Sequence, residues 1–372
     1  MSSALIVILV GSLVGGSCAL VGSFLVLRKM ALLGDAISHA VLLGIVAAFI
    51  LTGSRAPLPM VLGAGAVGVL TVFLVEMLNR SRRIYEDASI GVVFPALFSI
   101  GVILVSRYAG QIDLDIECVL YGEIGLTPYD TLTWGARDIG PKALWVNGAV
   151  FLFDLALILL FYKELKLSSF DGDLAAATGF SPVLLHYLLM IAVSVTIVAS
   201  FESVGAILVV AMLVVPPATA YLLTNRLSVM LAVGVLIGIA SSAAGYGIAR
   251  WYDASIAGCM AAFAGAVFTA VLFFSPSHGL LASALARRRL GLRFEEQLLL
   301  LHLKGEDEPP GADTSLEVAR RFGWRRARWE RVMRSLLDSG LARLKGGELR
   351  LTPEGRRHLD EEGTALLVHR DA

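Results

Sequence analysis

The sequence predicts an all-α polytopic membrane protein of about eight or nine transmembrane helices, followed by a small cytoplasmic winged helix-turn-helix domain. Two observations carry that expectation. Of its 372 residues, 56% are hydrophobic and only 17% are charged, and the mean hydropathy is +0.75, more apolar than a water-soluble domain. The charge is also divided unevenly, because 33 of the 62 Asp, Glu, Lys and Arg residues fall in the last 97 positions. A lipid-embedded body and a water-exposed tail account for both facts; an ordinary soluble enzyme accounts for neither. The net charge of zero hides this partition, since the tail alone holds 18 basic and 15 acidic residues.

Apolar runs long enough to cross about 30 Å of hydrocarbon as helix lie at residues 4–27, 33–51, 58–78, 88–106, 145–162, 182–199, 203–224, 228–249 and 254–275. They are rich in small residues, among them Gly11, Gly15, Gly16 and Gly22, then Gly63, Gly65 and Gly68, then Ser241, Ser242, Gly245 and Gly247. Small residues let helix backbones approach closely in lipid, which points to a packed bundle. The first run has no basic segment before it and exceeds the core of a signal peptide, about 7–15 residues, so it is expected to be retained. Cys18, Cys118 and Cys259 form neither a disulfide framework nor a zinc motif, and Cys18 and Cys259 read as buried small apolar residues.

Basic residues mark alternate connections: Arg28 and Lys29, then Arg80, Arg82 and Arg83, then Lys163 and Lys166, then Arg226, and finally Arg287, Arg288 and Arg289. A single orientation places all of them in the cytoplasm, with the N-terminus outside and the tail inside. The domain reading is a transmembrane domain over 1–280, a basic linker over 281–290 and a cytoplasmic domain over 291–372. The long outer segment from Arg107 to Leu144 carries Asp113, Asp115, Glu117 and Glu123; it is either a solvated loop or an acidic mouth that concentrates cations.

Ionisable residues inside spans cost a few kcal/mol each and face a cavity or a partner. Within Gly34-Asp35-Ala36-Ile37-Ser38-His39-Ala40, Asp35 and His39 are four apart and share a helix face. A carboxylate and an imidazole there can meet one manganese, iron or zinc ion, whereas copper(I) would call for sulfur ligands; the same pair can equally serve as a structural hydrogen bond. Glu202, between the sixth and seventh runs, is a second candidate ligand, a gate residue or an interfacial carboxylate. Glu76, Asp154 and His186 read as packing or helix-end residues. Pro216 and Pro217 are expected to bend or interrupt the seventh span, as in the broken helices of transporters.

After the fifth run, Asp171-Gly172-Asp173 leads an Ala-rich stretch that stops at Gly179 and Pro182. An Asp at the start and a Gly at the end mark a short cytoplasmic helix, either a plain connector or a surface offered to a soluble partner. The chain has no GxxxxGK[ST] motif and no Gly-Lys pair, so it has no P-loop for ATP. An ATP-driven process therefore needs another subunit.

The stretches RKMALLGDAISHAVLLGIVAAF and ESVGAILVVAMLVVPPATAYLL, with LDIECVLYGEI and SFDGDLAAATGFSP, resemble the manganese, zinc and iron permeases of ATP-binding-cassette importers. The resemblance covers roughly residues 4 to 280, with four motifs in order. It implies a multi-pass plasma-membrane permease that performs no covalent chemistry. It also implies a homodimer or a heterodimer with a homologous subunit, two cytoplasmic ATPases, and metal received from an extracytoplasmic binding protein. It places Asp35 and His39 on the metal path and assigns Asp171, Asp173 and Gly179 to the coupling helix against the ATPase. Glu202 and the choice among the three metals are not fixed by it.

In the tail, Leu292–Leu303, Thr314–Phe322 and Arg325–Leu344 read as helices, Lys345–Glu348 as a hairpin turn, and LTPEGRRHLDEEG as the start of another helix. Three helices and a hairpin describe a winged helix. The run SLEVARRFGWRRARWERVMRSLLDSGLARLKGGELRLTPEGRRHL resembles the DNA-binding domain of metal-dependent repressors of the diphtheria-toxin-repressor type. Arg325, Arg326, Arg328, Arg331 and Arg334 give it a basic face; tethering to a membrane and a small charge excess favour a regulatory or assembly module over DNA binding. Two rival functions remain from the sequence: a proton-coupled secondary metal transporter and a membrane-tethered metal sensor.

Overall fold

The computed structural model describes residues 2–53, 57–80, 85–108, 124–134, 137–275, 279–281, 294–303, 323–324, 326–345 and 348–359. The chain divides into two compact units, Met1–Gly279 and Leu280–Ala372. The first unit contains α1 (Ser3–Leu27), α2 (Ala31–Thr52), α3 (Pro57–Arg80), α4 (Glu86–Tyr108), α5 (Lys142–Leu160), α6 (Tyr162–Phe170), α7 (Gly172–Ala177), α8 (Pro182–Val204), α9 (Ala206–Leu223), α10 (Leu227–Tyr252) and α11 (Ile256–Phe274). Local chemistry starts several of them. Ser2, Asp171, Ser181 and Ser255 each accept a hydrogen bond from a backbone N–H three residues on, satisfying donors that the first helical turn leaves open.

Among the described residues, eight stretches are long and apolar enough to cross a membrane, with Pro182–Leu223 as one stretch of 42 residues. A straight helix of that length would reach about 63 Å at 1.5 Å per residue, twice the hydrocarbon thickness. The chain breaks instead at Gly205, whose φ of 78° and ψ of 166° are open to glycine and costly for residues with a Cβ. Beyond it, α9 and α11 share an end, because the Ser275 hydroxyl donates to the Leu222 carbonyl at 2.8 Å. α10, which connects those two helices, therefore runs opposite to both.

The expected interruption at Pro216 and Pro217 is not found: α9 runs through both prolines, and the break falls at Gly205. A proline at 217 removes the N–H that would bond the Leu213 carbonyl. That oxygen lies against Gly22 of α1, where an added Cβ would come within 2.0 Å of it. The glycine is thus the recess that admits a carbonyl released by proline. A similar close approach joins α2 to α3, where a Cβ on Gly44 would sit 2.3 Å from the Gly63 carbonyl oxygen. α1 is central to the unit and packs against α5, α8, α9 and α10, while α2 packs against α3, α4 and α8. Cys18 is buried as expected, but Cys259 is partly exposed; Cys118 and the acidic residues Asp113, Asp115, Glu117 and Glu123 lie outside the described residues.

Departing from an all-helical body, Thr131–Trp134 and Arg137–Pro141 pair as an antiparallel hairpin, β1 and β2, just before α5. In the second unit, residues 294–303 (α12), Arg326–Asp338 (α13) and residues 353–359 (α14) are helical. Ala342–Lys345 (β3) pairs antiparallel with Glu348–Leu351 (β4). The expected helix from Arg325 to Leu344 ends earlier, at Asp338: Gly340 takes a left-handed φ of 71° and the chain turns into β3. Leu299, Leu300, Trp329, Val332, Leu336, Ala342, Leu349 and Leu359 are buried together, so this unit has a core of its own. The expected helix over Thr314–Phe322 and the basic linker residues Arg287, Arg288 and Arg289 fall outside the described residues.

Gly22→Ala is expected to destabilise the detergent-solubilised protein by about 1–3 kcal/mol, the usual range for overpacking. Gly65→Ala faces open space and should stabilise by up to about 1 kcal/mol through helix propensity. Chemical unfolding of both variants checks the pair, and equal effects would refute the recess at Gly22.

Candidate functional site

Gly34 sets the position of α2 near its start, because a Cβ there would meet the Leu213 side chain at 2.2 Å. One turn on, the Ser38 hydroxyl donates to the Gly34 carbonyl at 2.9 Å and is satisfied within its own helix. Asp35 and His39 lie on another face. The His39 Nε2 stands 3.5 Å from the Asp35 Oδ1, and the two side chains remain 32% and 47% exposed, His39 first. The His39 ring sits 5.2 Å from Phe94 and 6.0 Å from Phe98, both on α4 and one turn apart. These rings hold the imidazole in one orientation and leave its nitrogens for polar partners.

A half-exposed carboxylate on a membrane helix cannot be solvated by hydrocarbon, so this face must line an aqueous path or a protein interface. Among the described residues no group of three or more His, Cys, Asp and Glu is placed to hold a metal ion. One chain thus supplies one carboxylate and one imidazole at this point.

Glu202 is not brought to this pair. It lies at the C-terminal end of α8, where its Oε1 is 2.6 Å from the Lys142 Nζ at the start of α5. The two border a cavity of about 220 Å³ with Thr127, Asp130 and Ser203. Below that cavity the α5–α8 seam is polar. The Asn147 amide donates to Ser203 at 2.9 Å and accepts from Ser200 at 3.2 Å, and Thr196 donates to the Asp154 Oδ2 at 2.7 Å. Asp154 is fully buried, and its Oδ1 has no hydrogen-bond partner among the described residues. In the sequence Asp154 stands as a single residue, and the seam emerges only when α5 and α8 pack. The signal was present as Thr196, Ser200 and Ser203 at helical spacing on one helix, facing Asn147 and Asp154 seven apart on another.

A second cluster that the sequence did not announce joins four segments at the opposite end of α8. Arg28, directly after α1, donates from Nε to Ser169 at 3.1 Å and from Nη2 to Ser168 at 2.9 Å, both on α6. Its Nη1 lies 3.2 Å from the His186 Nδ1 on α8, and the His186 Nε2 faces Glu76 of α3 at 3.6 Å. Desolvation by burial lowers the pKa of the Arg28 guanidinium below its usual value, and these acceptors compensate the charge. Immediately beyond α6, Asp171 caps α7 and Gly179 closes it at a left-handed φ of 90°. Phe170, Leu174 and Phe180 are exposed around this short helix.

A bundle of long apolar helices with an ionisable pair on an uncovered face and a short capped helix among its connections defines a membrane permease. The model of the ABC 3 transport family matches residues 2–275, and the chain belongs to that family. It is 52% identical over 279 residues to the manganese transport system membrane protein MntD of Bacillus subtilis, covering 75% of this chain and 94% of that one. It is 42% identical over 352 residues to the zinc transport system membrane protein TroD of Treponema pallidum, covering 94% and 96%. Its fold matches PsaBC from Streptococcus pneumoniae, solved in complex with Fab, with a TM-score of 0.62 and 30% identity over 75% of this chain and 94% of that one. An inward-facing putative metal-chelate type ABC transporter shares the fold at a TM-score of 0.54 and 18% identity, over 72% and 85% of the two chains.

Because Glu202 is ion-paired and apart from Asp35 and His39, Glu202→Gln should leave metal uptake within about twofold of wild type, as for a half-exposed pair worth about 0–1 kcal/mol. Uptake assays on vesicles check this, and a tenfold loss would return Glu202 to the ligand set.

Proposed function

We propose that the chain is the membrane permease of an ATP-binding-cassette importer for a divalent transition metal, manganese, zinc or iron. A separate ATPase powers it, and an extracytoplasmic binding protein delivers the metal. The observation that carries this reading is the Asp35–His39 pair, adjacent, oriented by Phe94 and Phe98, and open on a face that lipid cannot cover. The relatives named as manganese and zinc transport proteins support the cargo class.

Carboxylate and imidazole are the donors that first-row divalent ions accept, yet one chain offers only one of each here. Such ions take about four or more ligands, and a two-fold axis through this face would bring a second pair from another copy or from a homologous subunit. The metal is cargo, so the site must bind and then release it as the helices around it move. α7 is the surface for the ATPase: Asp171 and Gly179 fix its ends, Asp173 lies in its first turn, and Phe170, Leu174 and Phe180 supply exposed apolar contacts. The basic loops support an orientation with this helix and the second unit in the cytoplasm and the N-terminus outside.

The second unit is a winged-helix module with a regulatory or assembly role and not a part of the transport path. Its helix–hairpin–helix order and separate core support the reading. So do the relatives: the match to TroD spans 352 residues and so extends into the tail, whereas the match to MntD spans 279 residues, about the length of the membrane unit, and already covers 94% of that protein.

With the ATPase and binding protein in vesicles, wild type should take up one of the three metals only with ATP. Asp35→Ala and His39→Ala should each reduce uptake at least tenfold, and acidification should weaken it, because the ligands must be deprotonated to bind. Full transport by the double variant would remove the site, and uptake driven by a pH gradient without ATPase would establish a secondary transporter instead. Deleting residues 290–372 should leave uptake within about twofold while altering its regulation by metal supply; loss of uptake would make the tail part of the transport machinery.

A further inference from the structure

We propose that Arg28 is a positioning residue that transmits movement of the α6–α7 connector to the base of α2, the helix bearing Asp35 and His39. The inference rests on the permease reading, in which α7 meets the ATPase. Its grounds are separate, and begin with the turn between α1 and α2. Only Arg28, Lys29 and Met30 lie between those helices, and Lys29 takes a left-handed φ of 62° that side chains with a Cβ rarely adopt. Such a conformation persists only where its surroundings impose it. Arg28 is the anchor beside it, with separate hydrogen bonds to Ser168 and Ser169 on α6 and a contact with His186 on α8. Ser169 is two residues before Asp171, the cap of α7. A displacement of α7 therefore reaches Arg28 through short links, and the tight turn passes it to the start of α2 at Ala31, four residues before Asp35.

The cluster is not a second metal site. Arg28 can only donate, so the His186 Nδ1 accepts, and the ring proton sits on Nε2, toward Glu76. A metal at Nε2 would have to displace that proton beside a guanidinium. Glu76 and His186 instead tie the connection to α3, which packs on α2 through Gly44 and Gly63. A cavity of about 170 Å³, lined by Met30, Leu33, Glu76, Asn79 and His186, leaves room beneath the start of α2 for the turn to shift. Leu33 walls that cavity and stands two residues from Asp35, on the other side of the helix.

The test measures manganese(II) uptake and ATP hydrolysis in the same vesicles, which hold the full chain with its ATPase and binding protein. The variants are Arg28→Lys, which keeps the charge and loses the fork, Arg28→Gln, the double variant Ser168→Ala/Ser169→Ala, and Asp35→Ala. Arg28→Lys and the serine double variant should hydrolyse ATP within about twofold of wild type yet move at least fivefold less manganese per ATP. Combining them should add little, because both cut one link. An unchanged ratio, or uptake and hydrolysis falling in step, would overturn the proposal. If the Arg28 variants fail to co-purify with the ATPase, the serine variant decides by the same ratio. Asp35→Ala separates the two readings: wild-type uptake there refutes the metal path, while its loss beside normally coupled Arg28 variants refutes only the transmission. Absence of ATP-dependent manganese, zinc and iron(II) uptake in wild type refutes both.

Discussion

Hydrocarbon offers no hydrogen bonds, so every polar group carried into the bilayer must bring its partner or face a route that water or cargo can use. Several polar groups of the membrane unit meet this demand in distinct ways, whereas the buried Asp154 Oδ1 has no partner among the described residues. Serine and threonine hydroxyls turn back to carbonyls one helical turn earlier, as Ser38, Thr71, Thr219 and Ser242 do. Asn147, Ser200 and Ser203 satisfy one another between α5 and α8. Asp35 and His39 bring a carboxylate and an imidazole together on an open face of a membrane helix, and that combination makes them the candidate site.

The same rule shapes the backbone. Without a hydrophobic force to draw helices together in lipid, the bundle depends on close contact, which small residues permit. The meeting of Gly22 with Leu213 shows the two constraints acting at once. A proline frees a carbonyl, and a glycine on the neighbouring helix gives it a place, so α9 passes through two prolines without interruption. The reversal falls at Gly205, where φ is positive and no side chain resists it.

Transport requires that part of this packed structure move. The α1–α2 turn combines three residues, one of them in a left-handed conformation, with an arginine fastened to three neighbours. The arginine cluster ties the turn before α2 to α6 and α8, while Asp35 and His39 stay partly exposed on the helix that follows. The two arrangements are compatible because they lie on different sides of α2.

Composition and the partition of charge determined a membrane body with a polar tail, since lipid and water select residues by transfer energy alone. Spacing determined that Asp35 and His39 share a face, because a helix fixes which residues are neighbours, and terminal signals placed the short helix between Asp171 and Gly179. The tertiary structure decided what depends on residues distant in sequence. It paired Glu202 with Lys142 and so kept it from the candidate metal ligands, assembled Arg28, Ser168, Ser169, His186 and Glu76 from four segments, and closed Asp154 behind Thr196. It also moved the break from the prolines to Gly205 and ended the tail helix at Gly340 to begin a strand. Each outcome turns on which surfaces meet, and local periodicity carries no record of that until the helices are packed.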